Sequence, residues 1–229
     1  MWSKLKQIIG KTTSDTKTYA DFYLQYLEAY YKPDLKKSIH EQSFVILDTE
    51  TTGLDLGQDN ILSIGAVRII NNTIDISDSL SIIVKNQQFQ TQNAVAIHGL
   101  VQTDIKGQSE AESIAALFKF VGSDIIVGHH IAFDIAMLNK LSRKNGGGDL
   151  KNNLLDTSYL ARRLDHTTDP DSLDRKEYTL DKLCSRFKVI PKARHTADGD
   201  AFITAIVFMK LIQKLYIKGV TSTGQLVRK

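Results

Sequence analysis

The chain has 229 residues, 42% hydrophobic and 24% charged, with a net charge of only +3, which suits one α/β domain with an appendage and a sizeable core. The charge is uneven, with seven Lys against four acidic side chains in residues 1–40 and 22 of each sign in the remainder. A neutral main domain excludes the strong basic footprint of a protein that grips long duplexes along their length; nucleic acid would have to be held locally, by few phosphates.

The opening MWSKLKQIIGKTTSD is basic but has no continuous apolar stretch and no small-residue cleavage site, so it does not read as a secretory signal. The longest apolar-rich run, AFITAIVFM, is too short to cross a bilayer, and a cytoplasmic protein without a membrane association is expected. Residues 19–31, YADFYLQYLEAYY, put Phe22, Tyr23, Tyr26, Leu27 and Tyr30 at helical spacing, and Pro33 with the polar stretch after it closes this short helix. The stripe reads first as a face that docks the extension onto the domain and second as a face for a protein partner. Residues 1–42 are therefore taken as an N-terminal helical extension and linker, 43–217 as the main domain and 218–229 as a C-terminal tail.

Within the domain FVILD and ILSIGAVRII read as strands, Asn71–Asn72 as a turn and IDISDSLSIIV as a third, alternating strand, together an antiparallel meander. Residues 110–121 form an amphipathic helix, IIVGH a short buried strand, and FDIAMLNKLSRK a helix ended by Asn145 and the glycines at 146–148. LLDTSYLARRL reads as further helix, residues 165–177 as a polar surface loop with a tendency to disorder, YTLDKLCSRFKV as a helix with Cys184 packed inside, and 199–217 as a long final helix. A lone cysteine allows no intrachain disulfide. This order predicts a three-layer α/β domain, helices covering a central sheet.

Four acids and one histidine carry the chemistry: Asp48 and Glu50 in FVILDTETTGLD, Asp134 in IIVGHHIAFDIAML, and His195 with Asp200 in ARHTADGDAF. Asp48 and Glu50 alternate on a strand and project to one side, a beginning for a hard-cation site. Asp134 opens a helix whose Met137, Leu138 and Leu141 share its inward stripe. His195 and Asp200 converge if His195 lies on the loop and Asp200 in the first turn of the last helix, started by Thr196, Asp198 and Gly199. An unpaired carboxylate against apolar residues costs several kcal/mol. With no Lys or Arg taken to lie next to these sites, divalent metal is the expected counter-charge.

These segments resemble the DEDDh, DnaQ-like 3′–5′ exonucleases, which include proofreading subunits of bacterial DNA polymerases, through VILDTETTGLD, VGHHIAFDIAML and HTADGDA in order, over about Phe44 to Leu211. The resemblance implies a ribonuclease-H-like fold with a mixed five-stranded sheet. It implies that Asp48, Glu50, Asp134 and Asp200 bind two Mg²⁺ or Mn²⁺ ions and that His195 is the general base. It also implies that Thr51, Gly53, Leu54 and His98 line the substrate side. The partner it implies is a nucleic-acid 3′ end, single-stranded or frayed; a polymerase or other protein as a further partner through residues 19–31 is read from the tyrosine stripe, which lies outside the resemblance. One departure stands out: the family's H-N-x-x-F-D pattern has His129–His130 here, which bears on substrate positioning rather than on the four acids. DNA is the favoured substrate, with RNA or short oligonucleotides as the alternative on the same fold. A non-catalytic binding or scaffold protein, or an RNase-H-like endonuclease or integrase, remains the contrasting reading. Loss of an acid would mark the former, and the latter gives no reason for His195.

Overall fold

The computed structural model describes residues 18–85, 107–166 and 168–228. Its centre is one mixed sheet of five strands, β1 (Phe44–Thr51), β2 (Ile61–Ile70), β3 (Thr73–Ile83), β4 (Ile125–Gly128) and β5 (Leu154–Asp156), in the order β3-β2-β1-β4-β5. The first three strands form the antiparallel meander, while β4 runs parallel to both β1 and β5. Asn71 and Asn72 both turn with positive φ, 50° and 57°, the left-handed pair that a tight hairpin between twisted strands requires.

The seven helices among the described residues are α1 (Asp21–Ala29), α2 (Glu110–Val121), α3 (Ala132–Lys144), α4 (Thr157–Asp165), α5 (Leu180–Phe187), α6 (Ala197–Ile217) and α7 (Thr223–Val227). They split into two layers because β1 is buried on both faces. Phe44 and Ile46 pack in one core with α4, α5, α6 and α7. Val45 and Leu47 pack in the other with α1, α2 and α3. This alternation fixes the side on which every later β1 residue emerges.

Three sequence expectations need correction. LLDTSYLARRL does not begin as helix: Leu154–Asp156 joins the sheet as β5, and Asp156 then caps α4 by accepting from the backbone N–H groups of Ser158 and Tyr159. A three-residue strand offers too little periodicity to be told from the helix that follows it. The polar surface loop is ordered at Pro170–Ser172 and Arg175–Tyr178 by two short 3₁₀ turns, with Arg162 Nη1 donating to the Pro170 carbonyl at 2.9 Å and to Asp171 at 2.7 Å. Leu27 is exposed rather than buried, and Leu24 shares that outer face.

The inner face of α1 does dock. Tyr23 and Tyr26 are buried, their rings edge-on to Phe118 of α2 with centroids 5.6 and 4.8 Å apart. The Tyr26 hydroxyl donates to Asn152 Oδ1 and accepts from the Lys151 N–H, both at 2.7 Å. A tyrosine that fills a core slot and satisfies two polar groups is costly to truncate. Tyr26→Ala is expected to lower unfolding free energy by about 3–5 kcal/mol, measured by urea denaturation; a loss below ~1 kcal/mol would show that α1 is a loose appendage. The tail is tied in as well: Leu226 of α7 is buried, and the Thr223 and Gly224 N–H groups donate to the carbonyls of Lys37 and Leu35 at 2.9 and 2.7 Å.

Candidate active site

Asp48 and Glu50 follow Phe44 and Ile46 on β1, so they face the α6 layer. Asp200 meets them there from the first turn of α6. One oxygen from each of Asp48, Glu50 and Asp200 lies within 4.8 Å of the others. Gly65 makes this approach possible. It pairs with Asp48 across β1 and β2, and a Cβ on it would fall 2.3 Å from the Ala197 backbone. Thr196 caps α6 by accepting from the Gly199 N–H at 3.1 Å, and Ser81 of β3 donates to Asp198 at 2.6 Å, seating the helix end on the sheet.

Asp134 arrives from the opposite layer, on α3, and is buried. Its Oδ1 accepts from the backbone N–H of Thr49 at 3.0 Å and from the Thr49 hydroxyl at 2.6 Å. Thr49 points away from Asp48 and Glu50 by strand alternation. The structure thus brings Asp48, Glu50 and Asp200 into one group and turns Asp134 to brace the end of β1 beside them. Asp134 still lies close enough to act on Asp48. Burial, then the charges of Asp134, Asp200 and Glu50, push the Asp48 carboxyl up to about 9, with Arg194 opposing. Burial raises Asp134 to about 6, with the Thr49 bonds opposing. Such a cluster is short of positive charge, and its all-oxygen donor set fits a hard divalent cation.

His195 lies on the loop before α6, as expected, with φ of 62°. Its backbone N–H donates to Asp200 Oδ2 at 3.3 Å while its side chain is exposed to solvent. Ala193 also has a left-handed backbone, φ 56°, so two non-glycine residues flanking Arg194 hold uncommon geometry. The expectation that no basic residue adjoins the acids is wrong. Arg194 Nη1 donates to Asp200 Oδ1, and its Nε donates to Asp181 of α5 at 2.8 Å. The signal was visible, an Arg directly before His195, but pairing six residues along depends on the loop's two left-handed turns.

The loop after β1 is tightly stapled. Thr51 Oγ1 donates to the Gly53 carbonyl at 2.7 Å, and Thr52 Oγ1 donates to Asp59 at 2.6 Å. Lys140 of α3 donates to the carbonyls of Asp59 and Gly57 at 2.8 and 3.3 Å. A Cβ at Gly53 would meet the Asp59 carboxylate. Leu54 stands out from this loop, 84% exposed. His98 falls outside the described residues.

His130 is exposed, with φ of 59°, a region in which Asn, Asp and His are enriched among non-glycine residues. His130 is thus a residue type that this backbone geometry accommodates. The two rings meet edge-on with centroids 4.3 Å apart, and His129 Nδ1 is 2.9 Å from the Thr157 hydroxyl. Burial first, then the charges of His130 and Arg194, push His129 down to about 3, so it stays neutral.

The crowded carboxylates make the stability of the metal-free protein fall with pH. Folded Asp48 keeps its proton up to about pH 9, whereas the ordinary value is 3.8. Its contribution is therefore complete below pH ~4 and is lost as pH rises toward 9, by at most about 1.4 kcal/mol per pH unit. In EDTA, the melting temperature should drop between pH 5 and pH 8.5, and the Asp48→Asn variant should lose most of that slope. Equal slopes in the two proteins would sink this account of the cluster.

A mixed five-stranded sheet sandwiched by helices, with acids converging at the C-terminal end of its central strand, is a ribonuclease-H-like fold. Residues 45–208 match the RNase T family model, described as Exonuclease. The chain belongs to this exonuclease family, and it is a 3′–5′ exonuclease of the DEDDh type. It is 28% identical over 185 residues to the DNA polymerase III epsilon subunit of Aquifex aeolicus, covering 80% of this chain and 87% of that one. It is 30% identical over 190 residues to the PolC-type DNA polymerase III of Thermotoga petrophila, covering 82% of this chain and 13% of that much longer protein. The fold resembles E. coli exonuclease I in complex with a dT13 oligonucleotide, with a TM-score of 0.64 at 17% identity, over 78% of this chain and 42% of that one. No helix among the described residues is long and apolar enough to cross a membrane.

Proposed function

We propose that the protein trims the 3′ ends of single-stranded or frayed DNA in the cytoplasm, with two Mg²⁺ or Mn²⁺ ions held by Asp48, Glu50, Asp134 and Asp200 and with His195 as general base. The carrying observation is the group formed by Asp48, Glu50 and Asp200, their donor oxygens within 4.8 Å, with His195 attached to Asp200 through its backbone. Asp134, near enough to raise Asp48, is the fourth carboxylate of this reading. DNA is favoured because the relatives are named as a DNA polymerase III subunit and a PolC-type DNA polymerase III, and the structural neighbour holds a dT13 oligonucleotide.

When bound, the cations polarise the terminal phosphodiester and lower the pKa of the attacking water. The exposed His195 imidazole accepts that water's proton as the new P–O bond forms. The bond from phosphorus to the 3′ oxygen of the preceding nucleotide breaks, and that oxygen takes a proton from solvent. A nucleoside 5′-monophosphate leaves, and the shortened strand keeps a 3′-hydroxyl. Leu54 offers an apolar edge to the terminal base, and the backbone at Thr51 and Gly53 borders its sugar. His98 is a further candidate on the substrate side. A polymerase or another protein remains the proposed partner, with residues 19–31 the proposed contact. The outer face of α1, with Leu24 and Leu27 exposed, and the exposed Tyr31 just beyond its end are the part of that segment left to make it.

The test supplies Mn²⁺ with 3′- and 5′-labelled DNA and RNA strands, beside Asp134→Ala. Stepwise shortening of DNA from the 3′ end, abolished by EDTA and by the substitution, is expected. Faster shortening of RNA would move the substrate to the alternative, binding without cleavage would leave a scaffold, and nicking of circular DNA would indicate an endonuclease.

A further inference from the structure

Arg194 occupies a position that the cleavage chemistry does not require. Its guanidinium bridges two helix starts: Nη1 donates to Asp200 in the first turn of α6, and Nε donates to Asp181 in the first turn of α5 at 2.8 Å. The two partners differ in setting. The Asp200 side chain is 10% exposed and the Asp181 side chain 67% exposed. Its placement is built into the loop. Left-handed residues at 193 and 195 bracket it, the Thr196 hydroxyl donates to the Ala193 carbonyl at 2.8 Å, and Gly199 lets that carbonyl pack against α6, where a Cβ would fall 2.0 Å from it.

We propose that Arg194 is the resident counter-ion of the site: it neutralises Asp200 when no divalent cation is bound, and it retreats to Asp181 alone when one takes the Asp200 oxygen. The inference rests on the reading of Asp200 as a cation ligand. A guanidinium and a divalent cation held on the same carboxylate repel each other at close range, so the ion pair and the cation compete. The exposed Asp181 gives the displaced charge a hydrated seat, which keeps the exchange from stranding a buried Arg. Asp48 feels the same charge, since Arg194 opposes the rise of its pKa. Arg194 is thus a positioning residue. It lets the fold form around crowded acids before metal arrives, and it sets the concentration at which metal loads.

The experiment titrates Mn²⁺ into the full chain, following free Mn²⁺ by EPR at pH 7.5, with melting temperatures in EDTA alongside. Arg194→Met should tighten the Mn²⁺ dissociation constant by about three- to tenfold, the scale of one nearby charge, and should lower the metal-free melting temperature. Asp181→Asn should move the dissociation constant the other way, because Arg194 then has Asp200 as its sole seat. Arg194→Lys keeps the charge but cannot bridge both acids, and it should fall between wild type and the Met variant. Looser binding in both the Met and Asn variants would mean a merely structural role and would overturn the proposal, as would Arg194→Lys binding equal to wild type. Asp200→Asn separates the two levels: an unchanged dissociation constant there removes Asp200 from the ligand set, and the counter-ion role falls with it.

Discussion

Asparagine at Asp48 is expected to cut 3′-end hydrolysis by about 10³-fold while making the metal-free protein more stable at pH 8. The loss follows from the proposed ligand role, since the substitution removes one carboxylate from the group that Asp48 forms with Glu50 and Asp200. Cation chemistry supplies several kcal/mol of transition-state stabilisation, and each ~1.4 kcal/mol is a factor of ten. The gain follows from the same crowding, since burial and three neighbouring acids hold the Asp48 carboxyl at about 9. A neutral amide need not take up a proton on folding at pH 8, and that cost disappears. Opposite signs in activity and stability separate a ligand role from simple unfolding. Initial rates on labelled single strands with Mn²⁺, read beside melting curves in EDTA, give both numbers. A variant that keeps a tenth of wild-type activity would exclude Asp48 from the cation site.

His195→Gly should reduce the turnover rate by about 10²–10⁴-fold, the usual worth of a positioned base, and leave Mn²⁺ affinity within about twofold. The ring is not among the oxygen donors that cluster, and its side chain is exposed. Exposure gives the variant a further readout: added imidazole can reach the space that the side chain left and should restore part of the rate. No rescue, together with loosened Mn²⁺ binding, would take the His195 side chain out of the base role and give it a part in holding the cation site. The left-handed φ of 62° makes Gly a tolerated replacement there.

Much of the fold was legible because periodicity is local. Residues 110–121 run as helix between the same two residues that the apolar pattern marks, and β2 spans the whole of ILSIGAVRII. Misreadings arose where local signal was thin or shared. LLD is too short to announce a strand, and the stripe on α1 is compatible with burying Leu27 until Phe118 selects the Tyr23–Tyr26 side. The polar run after α4 looked loose because nothing in its composition shows that Arg162 reaches back to Pro170 and Asp171. At the site, acids set in apolar surroundings were readable as residues needing a counter-charge. Arg194 was overlooked because its reach to Asp200 and Asp181 is set by a loop conformation rather than by spacing.

By itself the sequence determined which side chains carry charge into the interior, and that Asp48 and Glu50 share one side of a strand, because alternation is a property of the backbone alone. Tertiary structure decided which acids converge. Gly65, opposite Asp48, admits the start of α6 and with it Asp200, whereas Asp134 comes from the other layer and is caught by Thr49. Strand pairing and close packing between distant segments settle such meetings, and a local pattern of residues does not encode how near two layers are allowed to come.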